Sequence, residues 1–137
     1  MNMFKSKFLP TIDNSRGNAV VEFALVLPIL LLVLFGITEF GRMIMTTNIL
    51  NTASREGARL AAVSPISDSL SVQARVTEVL TAARIEPSAI RVVYDPAAHS
   101  VRVQVTSDFD VLSRSVLPAA MRGTIQLTGE TVFRFEG

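Results

Sequence analysis

The sequence predicts an α+β protein, with a long N-terminal transmembrane and amphipathic helix followed by a small domain of one helix on a three- to four-stranded antiparallel sheet. Three observations carry that prediction. Residues 23–38 contain no charged side chain. Beyond them, small and apolar residues recur at steps of three and four as far as Ala61, the spacing of one helix face. The second half holds IRVVY, VRVQV, TIQLTG and ETVFRFE, short runs with the composition of strands.

Residues 1–17 are a polar segment with Pro10, Asp13, Asn14, Ser15 and Gly17 and no helical periodicity. The first helix is expected to begin near Asn18. Counted from Ala19 to Thr38 the apolar run has 20 residues, with Glu22 as its one charge. That is about 30 Å of helix, enough to cross the hydrocarbon core of a bilayer. Lys5, Lys7 and Arg16 precede it against Asp13, which favours a cytoplasmic N-terminus and an extracytoplasmic C-terminal part. Arg42, Arg55 and Arg59 on the far side weaken that bias. The run is longer than a secretory h-region, and GITEFGRMIM offers no small-x-small cleavage site after it.

The helix is expected to continue through residues 40–64. Phe40, Ile44, Thr47, Leu50, Ser54, Gly57 and Ala61 share a face, while Arg42, Asn48, Asn51, Arg55 and Arg59 fall mainly elsewhere. Pro28 lies inside the apolar half, where membrane helices tolerate the lost hydrogen bond and the kink. Ser64 and Pro65 mark the stop. Ala53, Gly57 and Ala61 are spaced by four, as are Ser54, Ala58 and Ala62. Such strips let another backbone approach closely, either the chain's own C-terminal domain or a neighbouring subunit.

Residues 65–137 form the second half. Ser67 or Asp68 can cap a helix over Leu70–Ala83 with Val72, Val76, Val79, Leu80 and Ala83 on one face. Glu86-Pro87-Ser88 ends it. Strands are expected at 90–94 and 101–105, joined by DPAAHS with its Asp-Pro turn signal. SDFDVLSRSVLPAAMRG is less regular, and TIQLTG with ETVFRFE makes a closing pair or one bent strand.

Composition excludes several functions. The net charge of +1 and the absence of a basic stripe argue against nucleic acid. With no cysteine in the chain, disulfides, thiolate catalysis, cysteine metal sites and a cysteine lipid anchor are excluded. His99, the one histidine, falls in an expected turn. Asp108 and Asp110 flank Phe109 and read as solvated strand-end charges, with a hard cation as the alternative. Tyr94, Phe109, Phe133 and Phe135 read as core residues. No phosphate loop, zinc spacing or acid–base pair is present, so neither catalysis, a cofactor nor a small-molecule substrate is expected.

The distinctive feature is RGNAVVEF at 16–23, which places Glu22 at the lip of the apolar helix. A carboxylate inside a membrane segment costs a few kcal/mol even on lenient insertion scales. Cleavage after Gly17 would give Asn18 a free α-ammonium, a little over one helical turn before Glu22. That creates a cation where the acid needs a partner. Within one helix, an anion near the N-terminus also suits the macrodipole. Between staggered helices, a pair that forms at only one offset fixes their relative height. An uncleaved signal anchor, with Glu22 in the headgroup zone, is the alternative.

A glycine, four residues, then Glu-Phe, between a basic leader and an apolar helix, resembles the prepilin-peptidase site of type IV pilins and pseudopilins. The stretch from RGNAVVEF through ASREGARLAAV is similar to the TadE-like proteins of the tight-adherence (Flp, type IVb) pilus machinery. The likeness is strong over residues 16–62 and loose afterwards. It implies a minor pilin or pseudopilin that serves pilus biogenesis and surface adherence, with the prepilin peptidase, other pilin-like subunits, the Tad membrane machinery and membrane lipid as partners. Carried over by position, Gly17 and Asn18 flank the cut, and Glu22 with Phe23 serves processing and assembly. Asn18 stands where many major pilins have an N-methylated phenylalanine. The implied organisation is a leader at 1–17, a transmembrane segment at 18–39, its amphipathic extension at 40–64 and an extracytoplasmic α+β domain at 65–137. The leader would face the cytoplasm, from a single-pass position in the cytoplasmic membrane.

Overall fold

A computed structural model describes residues 14–64, 68–111 and 124–134. Helix α1 spans Asn14–Val63, helix α2 spans Ser69–Ala82, and three strands follow: β1 (Ala89–Asp95), β2 (Ser100–Phe109) and β3 (Ile125–Arg134). The chain divides into two units, Met1–Ile37 and Thr38–Gly137. In the first, every described side chain from Asn18 to Ile37 is exposed. The second holds all the buried residues among those described, and we call it the head.

Helix α1 starts at Asn14 rather than near Asn18, so Gly17 and Asn18 both lie inside it. A single glycine costs about 1 kcal/mol in a helix interior, too little to stop propagation from a long apolar run. Most of the expected leader and Pro65 lie outside the described residues.

In the head, α1 buries Leu50, Ala53, Ser54, Ala58 and Ala61, with Gly57 between them. The expected apolar face extended back to Phe40 and Ile44, yet these remain 62% and 46% exposed. Periodicity reports that a face is apolar and does not say how far along the helix anything covers it.

Helix α2 begins as Asp68 Oδ1 accepts from the Ser71 backbone N–H at 3.3 Å, a cap that contributes about 1 kcal/mol. It buries Val72, Val76 and Leu80, each adding roughly 1.5–3 kcal/mol of apolar burial. Its C-terminus closes as Arg84 N–H donates to Thr81 O at 3.0 Å and Ile85 N–H to Leu80 O at 2.9 Å. This Schellman closure puts Arg84 in the left-handed region, at φ 57°, where glycine is the usual residue.

The sheet is an antiparallel meander in the order β1-β2-β3. Strand β2 runs to Phe109, four residues past the expected end, and pairs with β3 without a break from Ser100↔Arg134 to Phe109↔Ile125. The described parts of TIQLTG and ETVFRFE are therefore one strand, Ile125–Arg134, and the described sheet has three strands, within the expected three to four. Val101, Val103, Val105 and Phe109 fill the inner face of β2, against the half-buried Ile90, Val92 and Tyr94 of β1. The outer face is polar, with Arg102 of β2 ion-paired to Glu130 of β3. Between β1 and β2 the turn is held by Asp95 Oδ1, which accepts from Ala97 and Ala98 N–H at 3.0 and 3.1 Å.

Two glycines set how closely the layers meet. A Cβ on Gly57 would lie 2.5 Å from Val76 Cγ2 and 3.3 Å from Val103 Cγ1. A Cβ on Gly129 would lie 2.6 Å from the carbonyl oxygen of Leu50 and 2.7 Å from the Asn51 nitrogen, so β3 touches the α1 backbone there. Beside that contact, the Ser54 and Thr131 hydroxyls share a hydrogen bond of 2.9 Å.

Tyr94 is the one described residue with a buried side-chain polar atom that lacks a hydrogen-bond partner. Burial, and secondarily the Asp68 carboxylate, push its phenol above the usual pKa of 10.0. The fold thus favours the neutral phenol. Its contribution is complete below about pH 10 and is lost as pH rises through the raised folded value. Tyr94→Phe should raise stability by up to about 1 kcal/mol, because an unpaired buried hydroxyl carries a desolvation cost. It should also flatten the alkaline fall of the thermal midpoint, measured on the full chain in micelles.

Candidate functional site

The N-terminal half of α1 presents an apolar surface with one acid in it. Glu22 and Phe23 are exposed on the helix, Phe23 at 61%. Among the described residues no ion pair reaches Glu22. After Glu22 the next charges are Glu39 and Arg42, themselves paired at 2.9 Å. The most apolar 18-residue window of the segment Gly17–Val63 has a mean hydropathy of 2.8, and none of that window is buried. Length and polarity together fit a single membrane anchor.

Gly17 has nothing within 4 Å of the place a Cβ would occupy. Unlike Gly57 and Gly129, it serves no packing contact among the described residues. Asn18 beside it is exposed.

The small-residue strip has a different place. Ala53 and Ala61 are buried in the core, and Gly57 meets Val72 and Val76 of α2 and Val103 of β2. The strip packs inside the chain's own head, so its close approach serves the head's core. Ser54 bonds to β3 as described above.

His99 is exposed in the β1–β2 turn, in a left-handed conformation at φ 47°. Asp108 accepts from Gln126 Nε2 at 3.2 Å on the outer face of the sheet. Asp110 follows the end of β2 and, with Asp108, lines a shallow recess. Among the described residues no three His, Cys, Asp or Glu side chains converge to hold a metal. Phe133 is half-buried against the core, whereas Phe135 lies outside the described residues.

Sequence reasoning did not find the stacking of Arg42 over the Phe109 ring, at 5.1 Å to the centroid, nor the left-handed Arg84. Gly129 did leave a signal: a glycine inside a strand pattern marks a close backbone approach.

The family model described as TadE-like protein matches residues 17–59. Over that stretch the chain is similar to TadE-like proteins. The match takes in Gly17, Glu22, the whole apolar run and the small-residue strip as far as Arg59. No curated protein and no solved structure matches the chain. The likeness supports a pilin-like, structural role associated with the Tad machinery and its other pilus components.

Proposed function

We propose that the chain is a minor pilin or pseudopilin of a Tad (Flp, type IVb) pilus, processed by a prepilin peptidase between Gly17 and Asn18. The observation that carries this reading is the single acid, Glu22, at the lip of an exposed apolar helix within the TadE-like stretch. In this reading residues 1–17 are a cytoplasmic leader and 18–39 cross the membrane. Residues 40–64 extend the helix, and 65–137 complete an extracytoplasmic α+β domain. Cleavage supplies the α-ammonium of Asn18, which pairs with Glu22 of the same or a neighbouring subunit and sets the register of lateral helix packing. Phe23 accompanies Glu22 on that surface.

Gly17 fits the role for a physical reason. Because the helix starts at Asn14, the scissile bond must leave helical geometry to enter an extended protease cleft. Glycine lowers that unwinding cost by about 1 kcal/mol relative to alanine. The open space at Gly17 means a larger residue there is compatible with the fold.

Co-expression with and without a prepilin peptidase tests the reading, by reading the first residue of the purified protein. The expected product begins at Asn18, and Gly17→Leu should abolish its formation without changing the amount of membrane-inserted chain. Lys5 and Lys7 are the only lysines, so an amine-reactive reagent should find a single site on the processed protein. An intact leader in the presence of a competent peptidase would favour an uncleaved anchor that carries an extracytoplasmic scaffold or binding domain.

A further inference from the structure

Two depressions in the head are lined by residues that neighbour one another in sequence, Gly41 and Arg42 on α1 and Ala83 and Arg84 after α2. One is an apolar groove of about 610 Å³ between α1 and the C-terminal turn of α2, lined in part by Gly41, Ile44, Met45, Ile49, Val79 and Ala82. The other is a polar recess of about 440 Å³ whose lining includes Arg42, Arg84, Glu86, Asp108 and Asp110. On α1 the two linings alternate around the helix, with Gly41, Ile44, Met45 and Ile49 at the groove and Arg42 and Thr46 at the recess. After α2 the groove lining ends at Ala83 and the recess lining begins at Arg84. A ligand seated across the rim marked by Arg42 and Arg84 meets hydrocarbon on one flank and guanidinium groups on the other.

Arg84 stands out. An L residue in the left-handed region costs roughly 1–2 kcal/mol relative to glycine. Among the described residues its guanidinium makes no ion pair that would offset this. Backbone strain of this kind collects where a side chain serves a ligand. Arg42 is held over Phe109 at 5.1 Å and bonded to Glu39 at 2.9 Å. It keeps donors to spare, since a guanidinium carries five N–H groups.

The chain bounds how far this rim lies from lipid. Arg42 is four residues beyond Thr38, the end of the uncharged run, or about 6 Å of helical rise. The polar headgroup layer of a bilayer is of similar depth on each side. The exposed apolar surface also continues along α1 through Phe40, Ile44 and Met45, which are 62%, 46% and 65% exposed.

We infer that the head binds one phospholipid of the membrane that α1 crosses, with an acyl chain in the groove and the phosphate at Arg42 and Arg84. The Glu86 and Asp110 carboxylates of the recess favour a headgroup that carries an amine over one with a net negative charge. The inference rests on the membrane anchoring proposed above.

The full chain reconstituted in bilayer discs tests it, using phosphatidylethanolamine with a photoreactive acyl chain. Trypsin cuts after Arg16, Arg42, Arg55, Arg75 and Arg84, so peptides 43–55 and 76–84 report the two groove walls and peptide 17–42 reports the anchor. Label is expected in all three. Ala82→Phe, which fills the groove, should lower labelling of 43–55 at least fivefold and leave 17–42 unchanged. Arg84→Gly should lower labelling of 43–55 several-fold, because the phosphate loses a donor, and leave the preference for ethanolamine over glycerol headgroups, while raising the thermal midpoint, since glycine suits φ 57°. Label confined to 17–42, or groove labelling indifferent to Ala82→Phe, overturns the lipid site and leaves the anchor standing. Displacement of the lipid by millimolar inorganic phosphate would also overturn it, by showing a site for free anions. Label in none of the peptides removes the anchoring reading, and the lipid site with it.

Discussion

Gly129→Ala should destabilise the head by about 3 kcal/mol or more, the largest stability loss expected of any single methyl group added to this chain. The new Cβ would fall 2.6 Å from the Leu50 carbonyl oxygen and 2.7 Å from the Asn51 nitrogen. Both are backbone atoms in the middle of a helix, so no side-chain rotation can relieve the contact. Overpacking a core ordinarily costs 1–3 kcal/mol, and a rigid obstacle puts the cost at the upper end or beyond. Separating β3 from α1 would also break the Ser54–Thr131 hydrogen bond, leaving a buried hydroxyl without its cross-layer partner. Gly57→Ala is the natural comparison. Its obstacle is a valine methyl at 2.5 Å, which can shift, so a loss of about 1–2 kcal/mol is expected there. Urea unfolding of the full chain in micelles measures both. A Gly129→Ala midpoint equal to that of the parent would mean β3 does not press on α1.

Glu22→Gln should reduce surface filament output at least tenfold while membrane insertion is maintained or improved. Insertion should not suffer, because removing a charge from an apolar helix lowers its transfer cost. Assembly should suffer, because the proposed pairing with the Asn18 ammonium is lost and an unpaired cation is left in a poor solvent. The pairing itself can be isolated. On the processed protein the proposed single amine can be acetylated without touching anything else, there being no lysine after Lys7. Acetylation and Glu22→Gln should each impair assembly, and together they should impair it no further than either does alone. That non-additivity is the signature of two groups acting on each other. Full filament yield from the Glu22→Gln protein, or strictly additive losses, would contradict the pairing.

The parts of the fold governed by short-range rules could be read from the chain. Helix α2 runs Ser69–Ala82, one residue from the expected bounds at each end, because an Asp cap and a Val72–Val76–Leu80 stripe are local signals. Strands β1 and β2 were legible from alternation and the Asp-Pro turn. The end of β2 was not, since SDF alternates only weakly, and its last residues are strand because β3 continues opposite them. Thr128-Gly129 resembles a turn in sequence, yet the glycine is there to let a helix backbone pass, a demand made from far along the chain. The start of α1 was misplaced because polar composition and one glycine weaken a helix without ending it. On the functional side, Gly17, Asn18, Glu22 and Phe23 were recognisable because their meaning lies in linear spacing along one helix. The Arg42–Arg84 rim was invisible, since its two halves are brought together only by the packing of α2 on α1 and by an unusual backbone angle.

The contact of Gly129 and Thr131 with Leu50 and Ser54 also imposes a schedule. The two ends of the Ser54–Thr131 bond are separated by 77 residues, so the ribosome leaves α1 without that cover for about 4–15 s at ordinary synthesis rates. Any chain released before residue 129 lacks most of the closing strand, and Leu50 and Ser54 go without their β3 neighbours. The head is therefore closed late, by a strand that the ribosome delivers long after the helix it covers.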